Sequence, residues 1–191
     1  MKRVYINRGI PGSGKSNRAH WLTRDMPGAV ICSADDYFTA PGGTYFYLPE
    51  CVGLAHAICL LKYVRALENP TVPLIVVDNT NITAVEIAPY YALAEAYGAE
   101  AEIVTVDCNP IVAYSRNIHG VPQETIESMA QAIPVAETLF PESWKHSHIR
   151  SPDHLSQERE ALEEMTRLQG EHPVMGPEEE ARLAEWGNLL G

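Results

Sequence analysis

The stretch Gly9-Ile-Pro-Gly-Ser-Gly-Lys-Ser16 constrains this chain more than any other. It follows the spacing G-x-x-x-x-G-K-S. A short alternating run, Arg3 to Asn7 (RVYIN), precedes it, and a helix-like run over 13–25 follows. Strand, glycine loop and helix in that order give the pattern its physical meaning. Glycines let the backbone close around a phosphate, while successive amide N–H groups and the helix N-terminus face its charge. On this reading Gly9, Pro11, Gly12, Ser13, Gly14, Lys15 and Ser16 form a nucleotide-binding loop. Lys15 reaches the outer phosphates and the Ser16 hydroxyl ligates Mg²⁺, so ATP and Mg²⁺ are expected.

The rest of the chain alternates in the same way. Residues 29–33 (AVICS) read as a second strand and 49–69 as a long helix, with apolar residues at 54, 58, 61 and 64. Residues 71–81 hold the clearest buried strand, and 84–98 read as a helix stopped by Gly98. A strand follows at 101–107, then a helix from Pro110 to Asn117 that resumes as QETIESMAQAI over 123–133. APGGT, 40–44, reads as a turn or loop. This order predicts an α/β fold: a P-loop NTPase-type, mostly parallel sheet with helices on both faces. Residues 1–133 form the expected domain. Residues 134–191 form a C-terminal helical extension, with two acid-rich amphipathic runs capped by Ser156 and Pro177.

Charge narrows the partners. The net charge is −11, but residues 151–191 carry 10 acidic and 3 basic residues, against 15 and 11 in residues 1–150. The body is only mildly acidic, which argues against tight non-specific DNA binding and leaves room for a local acceptor groove. The one basic and aromatic stretch, WKHSHIR at 144–150, either lines such a groove or is a polar loop to the tail. No apolar run approaches the roughly 20 residues of a membrane span. The N-terminus does not read as a signal peptide. Cysteines 32, 51, 59 and 108 form no C-x-x-C pair and read as reduced thiols of a cytoplasmic chain.

Three acidic positions and one arginine complete the candidate site. Asp78 ends the run LIVVD, where a carboxylate can hold the Mg²⁺ shell opposite Ser16. Asn79, Thr80 and Asn81 follow it and are expected to face the same crevice. Asp35 and Asp36 end the second strand, on the side where all carboxyl ends of a parallel sheet open. A carboxylate there can accept the proton of an attacking alcohol. Asp35 is assigned this role and Asp36 the capping of a turn. Arg116 is placed to stabilise charge on a transferred phosphoryl group. His56 and His119 are read as structural.

Taken together, RGIPGSGKS, SADDYF, LAHAIC, VVDNTN and SRNIHGVP resemble the polynucleotide-kinase-like P-loop kinases over about residues 3–130. The resemblance implies transfer of the ATP γ-phosphate to a hydroxyl, with Lys15 and Ser16 at phosphate and metal, Asp35 as base, Asp78 near the metal and Arg116 in a lid. Members that act on strand ends carry an arginine directly after D-D-Y and a second lid arginine; here these places hold Phe38 and Gly120. Phe38 is instead expected to stack on a base, a contact worth roughly 1–3 kcal/mol. A related phage group phosphorylates the hydroxymethyl group of 5-hydroxymethyluracil in DNA, and the reading leans to that acceptor. The alternatives are a 5′-OH end of DNA or RNA, a nucleoside or sugar, and an ATP-binding adaptor without catalysis.

Overall fold

Alternate residues of a strand point to opposite faces, so a short run can feed two layers at once. The computed structural model describes residues 1–151 of the chain and shows this in each central strand. The strands are β1 (Arg3–Arg8), β2 (Val30–Cys32), β3 (Leu74–Asp78), β4 (Glu100–Asp107) and β5 (His146–Arg150). They form one sheet in the order β2-β3-β1-β4-β5. Every pairing is parallel, with Asn7 opposite Asp78 and Arg8 opposite Thr105. The expected α/β architecture is present.

Helices cover both faces. Helix α1 (Lys15–Thr23) sets Ala19 against Leu74 and Val76. Helices α2 (Val52–Glu68) and α3 (Ala84–Ala96) bury the opposite face, made by Val4, Ile6, Ile75 and Val77. Thr83 and Glu86 close a capping box at the start of α3, each side chain accepting from the other's backbone N–H. Helices α4 (Pro110–Ser115) and α5 (Gln123–Glu137) pack together through Ala113 and Ile126, with Ile10 of the glycine loop in the same cluster.

Two expectations change. The stripe read on the 49–69 helix is its outer face: Leu54, Ile58 and Leu61 are 52%, 43% and 49% exposed. The inner face lies one residue further on, at Ala55, Cys59, Tyr63, Ala66 and Leu67. Small side chains at 55 and 59 let the helix approach the sheet, and Tyr63 remains compatible with burial because its hydroxyl donates to Tyr90 O at 2.8 Å. Second, residues 146–150 are neither loop nor helix but β5. The boundary expected at 133/134 falls inside α5, and the sheet takes residues from beyond it. The alternation of HSHIR, with Ser147 and Ile149 half-buried, suits a strand at the end of the sheet. The two expected tail helices lie outside the described residues.

Arg8 ties these layers together. It ends β1 and its side chain is fully buried. The guanidinium donates to the carbonyls of Asn81, Ile82 and Ile133 and to Glu137 Oε1. Glu137 also faces His148 Nε2 of β5 at 3.0 Å. Replacing Arg8 by Met leaves Glu137 and several carbonyls without their donor. The expected loss is about 3–5 kcal/mol in urea unfolding at pH 7, and Arg8→Lys, which lacks the planar fork, recovers only part of it.

Candidate active site

The glycine loop is a cradle that side chains would fill. A Cβ on Gly12, where φ is +79°, would lie 2.0 Å from the Ala113 carbonyl oxygen. One on Gly9 would lie 2.9 Å from both Ser13 Oγ and Val106 O. Gly14 takes a left-handed conformation at the N-cap of α1, with no side chain capping the first amides. Those N–H groups are left for an anion. Ser13 Oγ is buried without a hydrogen-bond partner, the one such side-chain atom among the described residues. A cradle with open donors and an orphaned hydroxyl fits a polyphosphate.

Lys15 is buried at the start of α1 and donates from Nζ to Ile10 O at 2.7 Å. Burial pushes its ammonium down from 10.5 to about 8, while the carboxylates of Asp78 and, second, Asp35 act to hold the charge. Asp78 is buried at the end of β3 and accepts from Asn7 Nδ2 at 3.5 Å. Ser16 is exposed on the first turn of α1. One hydroxyl and one carboxylate beside a phosphate site suit Mg²⁺, which takes few protein ligands and fills its shell with phosphate and water. Among the described residues no group of three or more His, Cys, Asp or Glu could hold a metal without that help.

Asp35 opens a 3-10 turn (Asp35–Phe38) directly after β2. Tyr45 Oη donates to its Oδ1 at 2.9 Å, and His119 Nε2 lies 3.9 Å from its Oδ2. The Tyr45 and His119 rings are 4.4 Å apart. Arg116, at the end of α4, donates to Ser151 Oγ at 3.3 Å. Ser151 Oγ in turn lies 3.6 Å from the place a Cβ on Gly14 would take. Lys15 and Arg116 both act on the Cys108 thiol, which burial pushes up and these charges pull back. Arg116 therefore stands over the same loop as Lys15.

Comparison with known proteins places the chain in a family. The AAA_33 family, described as an AAA domain, matches residues 4–132. The chain belongs to this AAA domain family. Human NEDD4-binding protein 2 is 38% identical over 132 residues, 67% of the chain. Mouse YLP motif-containing protein 1 is 26% identical over 156 residues, 70% of the chain. The chain spans only 7% and 11% of the length of these two relatives. Among solved structures, a chain of the Pnkp1/Rnl/Hen1 RNA repair complex shares the fold at a TM-score of 0.60 and 18% identity, over 73% of this chain and 46% of that one. A gluconokinase from Sinorhizobium meliloti gives 0.51 and 15%, over 87% and 93%. These likenesses are ones of fold, that of a P-loop NTPase-like parallel sheet.

Of the expected residues of the AAA domain, Gly9, Gly12, Ser13, Gly14 and Lys15 form the loop, Asp78 adjoins it through Asn7 and Arg116 through Ser151, while Asp35 contacts Tyr45 and His119 and acts on Lys15 through its charge. Others do different work. Asp36 caps nothing with its side chain and pairs with Lys62 at 2.7 Å. Asn79 is buried, accepting from Ala34 N at 2.9 Å, and so pins the end of β2 to β3. Asn81 Nδ2 donates to Asn7 O at 2.6 Å. Both amides are used inside the fold and do not line the crevice. Phe38 is 6% exposed, in ring contact with Tyr37, Tyr45 and Tyr47, and has no free face for a base. Gly120 takes φ +67°, which favours glycine over an arginine there. His56 is exposed on α2. Tyr45, which sequence reasoning missed, and His119, read there as structural, both lie beside Asp35. The signal for Tyr45 was the Pro-Gly-Gly turn that carries it back; for His119 it was its place three residues after Arg116.

Lys15 gives a pH test. Its folded pKa is depressed, so the cost of holding the charge is present in full below pH 8 and is released as pH rises to 10.5. Urea midpoints of the nucleotide-free native chain, compared with Lys15→Met, are expected to rise relative to the variant across that window. A constant difference would contradict the burial of a charged ammonium.

Proposed function

We propose that the domain is an ATP-dependent phosphotransferase whose acceptor is a hydroxyl group of a nucleic acid. One observation carries the reading: Asp35 opens the turn that follows β2, at the same carboxyl end of the parallel sheet as Asp78 and the glycine loop, and its charge helps to hold the buried Lys15 ammonium. The acceptor oxygen forms a bond to the γ-phosphorus as the bond to the ADP oxygen breaks. Its proton passes to Asp35. Lys15 and the loop amides hold the phosphates in line, and Arg116 meets the charge that spreads over the phosphoryl oxygens. Ser16 and Asp78 would hold Mg²⁺ together with the phosphates, and the ion would supply further charge neutralisation.

Exposed rings beside Asp35 favour a nucleic acid. Tyr37 and Tyr47 are 39% and 55% exposed, and both pack on Phe38, which also touches the Tyr45 that bonds Asp35. Phe46 is 62% exposed on the same segment. Such rings accept stacked bases without regard to sequence. The likeness to a chain of an RNA repair complex supports the same acceptor class. A second reading, a small polyol acceptor, draws on the gluconokinase likeness and on the open position of Asp35, whose side chain is 52% exposed.

γ-Labelled ATP and Mg²⁺ offered with 5′-OH RNA, 5′-OH DNA, DNA containing 5-hydroxymethyluracil, nucleosides and gluconate separate these acceptors. Label is expected on a nucleic acid. Asp35→Asn is expected to lower transfer by about 10²–10⁴-fold with ATP affinity kept. Label on the small molecules alone would establish the second reading. ATP binding without transfer to any acceptor would mark an adaptor.

A further inference from the structure

Asp35 is held by a device built for that purpose from the adjoining segment. Pro41 and Gly42, where φ is +114°, occupy the middle of a tight turn in which Gly43 N donates to Ala40 O at 3.0 Å. Ala40 N donates back to Thr44 O at 2.9 Å, and Thr39 and Tyr45 pair across the turn. Phe46 N then donates to Phe38 O at 2.8 Å. The hairpin so formed returns Tyr45 to the start of the 3-10 turn. That turn is fixed in its own right: Thr39 Oγ1 donates to Asp35 O at 2.9 Å, and Asp35 N to Ser33 Oγ at 3.3 Å. The carboxylate is therefore aimed, and its two oxygens are not equivalent. Oδ1 is engaged by Tyr45 at 2.9 Å. Oδ2 faces His119 across 3.9 Å.

We propose that Tyr45 is a positioning residue for the phosphoryl-transfer step, fixing Oδ1 of Asp35 so that Oδ2 receives the proton of the acceptor hydroxyl. The inference rests on the function proposed above. The acceptor O–H bond breaks towards Oδ2 while its oxygen bonds the γ-phosphorus and the ADP oxygen leaves. Two side chains from two elements face the carboxylate, Tyr45 of the hairpin and His119 of the α4–α5 connection, and its charge acts on Lys15 of α1. Burial, with the Asp35 charge second, pushes the Tyr45 phenol up, so it stays protonated and a donor throughout the working range.

Tyr45→Phe removes the hydroxyl and keeps the ring. With ATP, Mg²⁺ and the acceptor found above, kcat is expected to fall about tenfold, the loss of one hydrogen bond to a charged group. KM for ATP is expected to stay unchanged. An unchanged kcat in Tyr45→Phe, or a fall matched by an equal loss of ATP affinity, with Asp35→Asn inactive, would overturn the role of Tyr45 alone. Full turnover in Asp35→Asn would overturn both this role and the kinase mechanism.

Discussion

A buried ammonium organises the functional end of this molecule. Lys15 gives up most of its hydration, and the two carboxylates that support it come from the ends of different strands. Neither forms a direct ion pair with it among the described residues. Its one close partner is Ile10 O, a carbonyl of its own loop. The charge is left incompletely balanced, and an anion is the group that would complete it. Sheet order, glycine conformations and the buried Asn7 that bridges Lys15 O and Asp78 all serve to hold this arrangement.

The same constraint explains why the loop was legible in the sequence. A backbone that must wrap a phosphate has few solutions, and glycine is demanded where a Cβ would strike the Ala113 or Val106 carbonyl. Strands such as LIVVD were legible because burial on both faces leaves no room for polar residues. That Asp35 lies at the same end of the sheet as the Lys15 loop followed from the common polarity of parallel strands.

What could not be read is the part set by tertiary neighbours. Periodicity gave the 49–69 helix but not its phase, since an apolar stripe and a stripe of small residues plus tyrosine score alike until the sheet is present. HSHIR has too little apolar character to announce a strand; it becomes one because β4 offers it a ladder, with Ile103 opposite His146. Asp36 and Asn79 looked like crevice residues by position. Lys62, Ala34 and Tyr90 lie far off in sequence and claim them. Arg8 drew no notice because nothing local marks an arginine that will be wholly enclosed.

That enclosed guanidinium has a mechanical consequence. It sits one residue before Gly9 and grips carbonyl and carboxylate groups near the end of α5. The entrance of the phosphate loop and the last turns of a remote helix thus share a single rigid plane. Occupancy of the cradle would slow amide hydrogen exchange in α5, which also packs on Ile10 of the loop through Ile126.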